Sequence, residues 1–192
     1  MGKLSEVILS VNDFLKQKTK DKKIVVALTG DYGTGKTTVG KLLEIFFDSV
    51  VFVNSDYFRE KTVFNDSGNN YKEVISSYNI VLIKKVINCF LKDKNTKIYY
   101  GRGSEIEEKI FNNRFKKVLL LESVFVFDKH FSTLPIDYIV ELKSSQKDIK
   151  KRRRLRTENK NKIDKKRYAE VLYAYKAVRK TSKKNSDIIL TN

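Results

Sequence analysis

The sequence of 192 residues is poor in the residue types that cross-link a chain or bind metals, with one cysteine and one histidine. Cys89 has no second cysteine for an internal disulfide, and His130 alone cannot form a histidine cluster around a metal. The longest aliphatic run, Val118 to Leu121, is far shorter than the roughly 20 residues of a membrane-spanning helix. These absences exclude a disulfide scaffold, a metal centre built on histidines and a helical membrane protein. We expect a cytoplasmic protein.

Acidic residues are also scarce: 23 Asp and Glu stand against 40 Lys and Arg, so the net charge is 40 − 23 = +17. With 41% apolar residues the chain is too hydrophobic for a disordered polycation, and its length predicts one domain, 1–192. The positive charge fits a partner rich in phosphate, either a nucleotide or a nucleic acid, and equally a genome that favours lysine codons. Only residues 150–156 form a basic block, and such a run is usually a solvated face.

Apolar runs of strand length alternate with amphipathic helical patterns along the chain. Each predicted strand is apolar throughout, which is typical of parallel sheets covered by helices on both faces. The predicted fold class is α/β, a three-layer domain with a five-stranded, mostly parallel sheet and a small helical lid. The strands are predicted at Ile24–Leu28, Val50–Val53, Val118–Leu121, Tyr138–Leu142 and Ile188–Leu190, with a short further strand at Ile98–Tyr100. Helices are predicted at 4–15, 37–47, 74–91, 149–156 and 163–180, and a loop at 64–70.

The segment Gly30–Thr37, GDYGTGKT, fits the pattern G-x-x-x-x-G-K-[ST] between a buried strand and an amphipathic helix. Its glycines allow the backbone to curl, so that successive N–H groups converge on phosphate oxygens. Lys36 is suited to neutralise the β- and γ-phosphates of ATP, and the Thr37 hydroxyl to bind Mg²⁺. The pattern predicts nucleotide binding and leaves the reaction open. Together with the alternating strands and helices, it predicts that the three-layer α/β domain has a P-loop NTPase fold. The predicted nucleotide-binding residues are Gly30, Asp31, Tyr32, Gly33, Thr34, Gly35, Lys36, Thr37 and Thr38.

A GTPase is the first alternative, but its second motif is lacking. No aspartate in the chain is followed by a glycine three residues later, as the motif D-x-x-G requires. The segment Asn161–Asp164 matches N-K-x-D, but it follows a charged stretch instead of a buried strand. We therefore favour a small-molecule kinase. Such an enzyme needs a base for the attacking hydroxyl, a carboxylate near Mg²⁺ and cations over the transferred phosphoryl group.

Carboxylates follow two of the predicted strands at the edge where the phosphate loop lies. Asp56 comes directly after the second strand, and because the carboxyl ends of parallel strands meet at one edge, we predict it to be the catalytic base. Asn54, Ser55 and Asp56 are all N-capping types, so a capping role stays open. Glu122 ends the most apolar strand, where an unpaired carboxylate is costly to bury. We predict that Glu122 coordinates the Mg²⁺ through water, together with Thr37.

The basic block is predicted to form a lid over the phosphates. Arg152 and Arg156 are four residues apart and share one face of a helix, and Arg153 lies beside them. We expect Arg152 and Arg156 to act in catalysis and Arg153 to bind the nucleotide, although spacing does not decide which of the three is essential. The lid is placed at about residues 150–165, and a substrate flap at about residues 57–116.

With these motifs in this order, the chain from Ile24 to Asn192 resembles the uridine kinase-like family of P-loop kinases, which also includes pantothenate, phosphoribulose and nicotinamide riboside kinases. The resemblance implies a phosphotransferase that uses ATP and Mg²⁺, with Asp56 as the base. It rests on five segments: Gly30–Thr37; Val53–Phe58, similar to the strand and D-x-[FY] segment; Val118–Ser123, similar to the hydrophobic-E-G strand end; Arg152–Thr157, similar to the R-R-x-x-R-D lid; and Ser186–Leu190, similar to the A-D-I-I-I segment.

The acceptor side departs from that family. Ser123 replaces a usual glycine and Thr157 a usual aspartate, and neither change removes the phosphate chemistry. Lys72 stands where uridine kinases carry an aspartate that holds the sugar hydroxyls, and the flap segment 99–104 has no histidine. Lys72 and Arg102 raise the hypothesis that the acceptor already carries a phosphate or a carboxylate.

From the sequence we expect ATP and a small-molecule acceptor as partners, with transfer of the γ-phosphate to a hydroxyl, first of all that of a nucleoside. Pantothenate, nicotinamide riboside and a sugar phosphate are alternative acceptors. A nucleotide-binding protein without transfer activity and a P-loop protein that binds nucleic acid are alternative functions. Nucleic acid is disfavoured because aromatic residues do not alternate with the basic block. The sequence leaves a homo-oligomer open.

Overall fold

The structure, a computed structural model, describes residues 3–20, 22–59, 71–102, 105–158, 173–180 and 186–191. Strands and helices alternate through most of these residues. The helices are α1 (Lys3–Thr19), α2 (Lys36–Phe46), α3 (Tyr71–Ser76), α4 (Ile80–Leu91) and α5 (Gln146–Glu158), with 3₁₀ helices at Ser55–Phe58 and Phe131–Thr133. The strands are β1 (Ile24–Gly30), β2 (Val50–Asn54), β3 (Thr96–Arg102), β4 (Glu105–Phe111), β5 (Val118–Glu122), β6 (Tyr138–Lys143) and β7 (Ile188–Thr191). Residues 173–180 are also helical.

Five of the strands form one parallel sheet in the order β2-β5-β1-β6-β7, which confirms the predicted fold class. The register places Glu122 of β5 between Leu28 of β1 and Asn54 of β2. The carboxyl ends of these three strands therefore meet at one edge of the sheet. Because the loops that follow β1 and β2 start there, this edge is where a ligand site is expected.

Both faces of the sheet are covered, so successive residues of the central strand enter different cores. Ile24, Val26 and Leu28 of β1 pack in the core that includes α1 and α2. Val25 and Ala27 pack in the core that includes α4 and the helical residues 173–180. Every residue of β1 is buried. This two-sided burial explains why the strands are apolar throughout.

The single helix predicted at 74–91 is wrong, because α3 ends at Ser76 and α4 begins at Ile80. Asn79 is the N-cap of α4, and its side-chain oxygen accepts a hydrogen bond from the backbone N–H of Leu82 at 2.8 Å. The apolar residues keep helical spacing across the break, so hydrophobic periodicity alone cannot locate it. The break forms a corner at residues 77–79.

The short strand predicted at Ile98–Tyr100 is longer, and it pairs outside the central sheet. β3 and β4 form an antiparallel hairpin in which Tyr100 lies opposite Glu107. The sequence of β4, EIEEKIF, is rich in charge, and among the described residues β4 pairs with β3 alone. Periodicity therefore does not mark β4 as a strand of the core. The hairpin falls within the segment predicted to be the substrate flap.

The helix predicted for the lid begins at Gln146, before the predicted Ile149, and extends to Glu158. Of the helix predicted at 163–180, residues 173–180 are helical. Residues 159–172 and the predicted loop at 64–70 lie outside the described residues. Within the described ranges, every helix is too short or too polar to cross a lipid bilayer.

Gly40 lies on the face of α2 that packs on the sheet, and a Cβ at this position would overlap the buried ring of Phe52. We expect Gly40→Ala to lower the free energy of unfolding by about 1–3 kcal/mol, because this overlap outweighs the roughly 1 kcal/mol that alanine contributes in a helix. Urea unfolding measures the effect, with Lys41→Ala at an exposed position of α2 as the control. A Gly40→Ala variant as stable as the wild type would contradict the prediction.

Candidate active site

The loop between β1 and α2 has the backbone of an anion-binding loop. Gly30, Gly33 and Gly35 have φ angles of 139°, 92° and 94°, which residues with a side chain rarely adopt. Gly30 also lies so close to β6 that a Cβ would overlap the backbone oxygen of Leu142. Gly35 is the N-cap of α2 and lines a cleft, so the positive end of the helix dipole is directed there.

Lys36 is buried within this loop, with 5% of its surface exposed. Its Nζ donates hydrogen bonds to the backbone oxygens of Gly30 and Asp31, at 3.0 Å each. These bonds offset the cost of removing an ammonium group from water. The side chain therefore returns from the start of α2 to the start of the loop and places a positive charge beside the loop's N–H groups.

Thr37 and Glu122 meet at the edge of the sheet. Oγ1 of Thr37 donates a hydrogen bond to Oε1 of Glu122 at 2.8 Å, and the glutamate is buried at the end of β5. Proteins usually bind Mg²⁺ through one or two carboxylates together with waters and substrate phosphates. A hydroxyl paired with one carboxylate, next to a phosphate-binding loop, fits this donor set. These two side chains would hold the metal.

Asp56 lies in the 3₁₀ helix that follows β2, and it lines the same cleft as the phosphate loop. Asn54 is the N-cap of this helix, because its side-chain oxygen accepts a hydrogen bond from the Asp56 N–H at 2.8 Å. The capping role that the sequence left open therefore falls to Asn54. The carboxylate of Asp56 is exposed, and its Oδ1 accepts a hydrogen bond from the Tyr78 hydroxyl at 2.9 Å.

Two arginines connect α5, the helix predicted to be a lid, to the phosphate loop. Nη1 of Arg152 donates a hydrogen bond to the backbone oxygen of Gly33 at 3.1 Å. Nε of Arg153 donates to the backbone oxygen of Tyr32 at 2.9 Å, and its Nη2 forms an ion pair with Asp31 at 2.8 Å. Both guanidinium groups bind oxygens of the loop and add positive charge beside it.

A buried carboxylate connects the helical residues 173–180 to the sheet. Glu141 of β6 has 2% of its surface exposed, and its Oε2 accepts hydrogen bonds from Arg179 at 3.0 Å and from Ser186 at 2.7 Å. Tyr175 is buried in the same region. Its burial, and the negative charges of Asp31 and Glu141, raise the pKa of the Tyr175 hydroxyl above its usual value, so this tyrosine is neutral at pH 7.

Most of the residues predicted for the site lie together, with others around them. The predicted residues that line the cleft are Tyr32, Gly33, Gly35, Lys36, Thr37, Asp56 and Glu122. Gly30, Asp31, Thr34, Arg152 and Arg153 belong to the loop or contact it, and Thr38 lies in the first turn of α2. The side chains of Arg156, Lys72 and Arg102 lie outside the described residues. The catalytic, nucleotide-binding and metal-binding roles given to these residues stay predictions.

Sequence reasoning missed Tyr78 and assigned no role of its own to Asn54, although both line the cleft. Asn54 had a detectable signal, since a polar residue ends an apolar strand directly before the predicted base. No signal in the sequence marks Tyr78, because it occupies an apolar position of a continuous helical pattern.

We expect Arg153→Lys to raise the dissociation constant for ATP by about tenfold. The planar guanidinium reaches both Tyr32 and Asp31, and an ammonium group cannot reproduce this forked geometry. Isothermal titration calorimetry with ATP measures the effect. Arg154→Lys, at an exposed position of α5, is the control. An unchanged dissociation constant in the Arg153 variant would show that these contacts do not determine the shape of the loop.

Fold and loop together define a P-loop nucleotide-binding protein. The chain belongs to the family described as an AAA domain (AAA_18), which matches residues 26–173. It is also 25% identical over 147 residues to a protein of Methanosarcina mazei named "Putative adenylate kinase", over 77% of this chain and 68% of that protein.

Solved structures of P-loop kinases share the fold. A protein of Bacillus stearothermophilus described as a possible uridine kinase has a TM-score of 0.64 and 13% identity, over 94% of this chain and 99% of that one. The D-glycerate 3-kinase of Cryptococcus neoformans has a TM-score of 0.61 and 10% identity, over 100% and 96% of the two chains. These similarities confirm the predicted fold, that of uridine kinase-like and related P-loop kinases.

Proposed function

We propose that the protein is an ATP- and Mg²⁺-dependent kinase that transfers the γ-phosphate of ATP to a hydroxyl of a small molecule, with nucleosides as the first acceptor class. The observation that carries the proposal is the position of Asp56, whose carboxylate lines the same cleft as Lys36 and Thr37. A protein that only holds Mg²⁺ and a nucleotide needs one carboxylate beside the phosphate loop, a role that Glu122 fits, and it has no need of the second one that Asp56 supplies. A kinase needs one to accept the proton of the attacking hydroxyl.

Each residue of the cleft has a separate role in the proposed reaction. Asp56 accepts the proton of the acceptor hydroxyl while the hydroxyl oxygen bonds to the γ-phosphorus, and the bond from that phosphorus to the β–γ bridging oxygen breaks to release ADP. Lys36 and the N–H groups of the loop stabilise the negative charge on the transferred group. Thr37 and Glu122 would hold Mg²⁺, which supplies charge neutralisation on the β- and γ-phosphates when it is bound.

An aromatic pair next to Asp56 supports a planar acceptor. Tyr57 follows Asp56 in the chain, and its ring centroid lies 4.4 Å from that of Tyr100 in the β3–β4 hairpin. Burial and nearby carboxylates raise the pKa of Tyr57, and the hydrogen bond that Tyr100 donates to Glu107 raises the pKa of Tyr100 to about 12. Both hydroxyls are therefore neutral at pH 7. The pair offers apolar ring surface with polar tips, which suits a nucleobase or another planar group.

A nucleoside monophosphate is the second candidate acceptor, and the similarity to the Methanosarcina mazei protein supports it. A phosphate monoester is already ionised at pH 7, so transfer to its oxygen needs no base. The negative charge of Asp56 would also repel it. The two candidates therefore differ in one measurable respect, since only transfer to a hydroxyl depends on the Asp56 carboxylate.

The proposal is tested by incubating the protein with ATP, Mg²⁺ and single acceptors, while ADP release is followed and products are identified by mass spectrometry. The panel contains nucleosides, nucleoside monophosphates, pantothenate, nicotinamide riboside and sugar phosphates, and a reaction without acceptor is the control. We expect a phosphorylated nucleoside to form in step with ADP. Phosphorylation of monophosphates alone would select the second candidate. Binding of ATP with no acceptor phosphorylated would refute the proposal and leave a nucleotide-binding protein.

A further inference from the structure

The corner between α3 and α4 brings a tyrosine to the carboxylate of the proposed base. Tyr78 donates a hydrogen bond from its hydroxyl to Oδ1 of Asp56 at 2.9 Å, across 22 positions of sequence. The tyrosine is buried, with 5% of its surface exposed, whereas the aspartate is exposed in the cleft. A rigid, buried donor therefore holds one oxygen of a carboxylate that would otherwise rotate in solvent.

The ring of Tyr78 is fixed by its aromatic neighbours. It packs edge-on against Phe125, with 5.6 Å between the ring centroids, and against Phe131, at 5.7 Å. Both phenylalanines are fully buried. Such packing leaves the ring little freedom, so the direction of its hydroxyl is determined by the core.

The corner is also bonded to the 3₁₀ helix that carries the base. The backbone N–H of Asn79 donates to the backbone oxygen of Phe58 at 2.8 Å. Nε of Arg59 donates to the hydroxyl of Ser77 at 3.1 Å, and Arg59 forms an isolated antiparallel bridge with Tyr78. Backbone and side-chain bonds thus hold the two segments in register, with the hydroxyl of the tyrosine beside the carboxylate of the base.

We propose that Tyr78 is a positioning residue for the kinase reaction: by holding Oδ1 of Asp56 it turns Oδ2 toward the acceptor hydroxyl. The inference rests on the proposed function and adds to it, because it assigns a role to the break between α3 and α4, which brings Tyr78 to Asp56. Loss of the hydroxyl leaves the carboxylate in place with more orientations open to it, so fewer encounters with the acceptor are productive.

The test is Tyr78→Phe, which removes the hydroxyl and keeps the ring. We expect kcat to fall on the order of tenfold, the loss expected for one hydrogen bond to a charged group, while the KM for ATP stays within about twofold. Tyr138→Phe is the matched control: it removes the same atom at the start of β6, where Tyr138 packs edge-on against Phe14, and kcat should not change. An unchanged kcat in Tyr78→Phe would overturn the inference.

A general loss of stability is separated from positioning by Phe90→Leu, which removes a fully buried ring of α4 from the same hydrophobic core and leaves Tyr78 unchanged. We expect a lower midpoint of thermal unfolding for Phe90→Leu, with kcat within about twofold of the wild type. If Phe90→Leu lowers kcat as much as Tyr78→Phe does, the loss follows from a loosened core and the inference is overturned.

A double-mutant cycle with Asp56→Asn tests whether Tyr78 acts through the base. When Asp56 is already replaced, Tyr78→Phe should change the residual kcat less than about twofold. A further tenfold loss in that background would show an independent effect and overturn the inference. If Asp56→Asn lowers kcat strongly and Tyr78→Phe does not, only the inference fails. If Asp56→Asn itself keeps the wild-type kcat, the proposed base is wrong, and the inference is overturned with it.

Discussion

Replacing Asp56 by asparagine is expected to lower kcat by about 10²- to 10⁴-fold, the range that general-base catalysis supplies. Asparagine has the same shape, and its amide oxygen can still accept the hydrogen bond that Tyr78 donates at 2.9 Å. What it loses is the ability to take a proton from the acceptor hydroxyl. The turnover number, measured by ADP release with the acceptor found in the panel, gives the loss directly.

Binding of ATP should respond differently to the same change. Asp56→Asn removes a negative charge from the cleft that the phosphate loop lines, so the affinity for ATP is expected to stay the same or to increase slightly. Isothermal titration calorimetry measures it. Asp48→Asn is the matched control, since it makes the same charge change at an exposed residue between α2 and β2, at the opposite edge of the sheet. Wild-type turnover in Asp56→Asn would remove Asp56 from the role of base.

The positions of Asp56 and Glu122 could be anticipated because parallel strands obey a strong rule. A strand buried on both faces must be apolar throughout, so each strand of the central sheet is visible in the sequence and its last residue is defined. Parallel strands then bring their carboxyl ends to one edge. Glu122 accordingly lies beside Thr37, and Asp56 lines the same cleft.

The contacts of the arginines and of Tyr78 could not be anticipated, because they depend on how elements pack and not on where they begin. Helical spacing placed Arg152 and Arg153 on α5 but not on the loop, whose backbone oxygens become acceptors only once its glycines have curled it. The corner at 77–79 depends on Asn79, whose side chain caps the start of α4. Hydrophobic periodicity indicates which residues are buried. The buried residues on either side of this corner keep the spacing of a continuous helix, so the pattern does not show where one helix ends and the next begins.

Replacing Lys36 by methionine is expected to lower kcat/KM for ATP by about 10³-fold. Methionine keeps an unbranched stem in the buried position and removes the charge that stabilises the transferred phosphoryl group. It also leaves the backbone oxygens of Gly30 and Asp31 without the donor at 3.0 Å, so the free energy of unfolding should fall by about 1–3 kcal/mol. Steady-state kinetics and urea unfolding measure the two effects separately, with Lys41→Met, at an exposed position of α2, as the control.

Lys36→Arg tests whether a positive charge is sufficient at this position or whether the smaller ammonium group is also required. Arginine keeps the positive charge, but its planar guanidinium is larger than the ammonium that fits between two backbone oxygens in a site with 5% exposure. We therefore expect Lys36→Arg to be nearly as inactive as Lys36→Met, within about tenfold in kcat/KM. If arginine restores wild-type kcat/KM, positive charge alone is sufficient and the close fit of the ammonium in the loop has no part in transfer. If methionine keeps wild-type kcat/KM, the lysine only supports the loop.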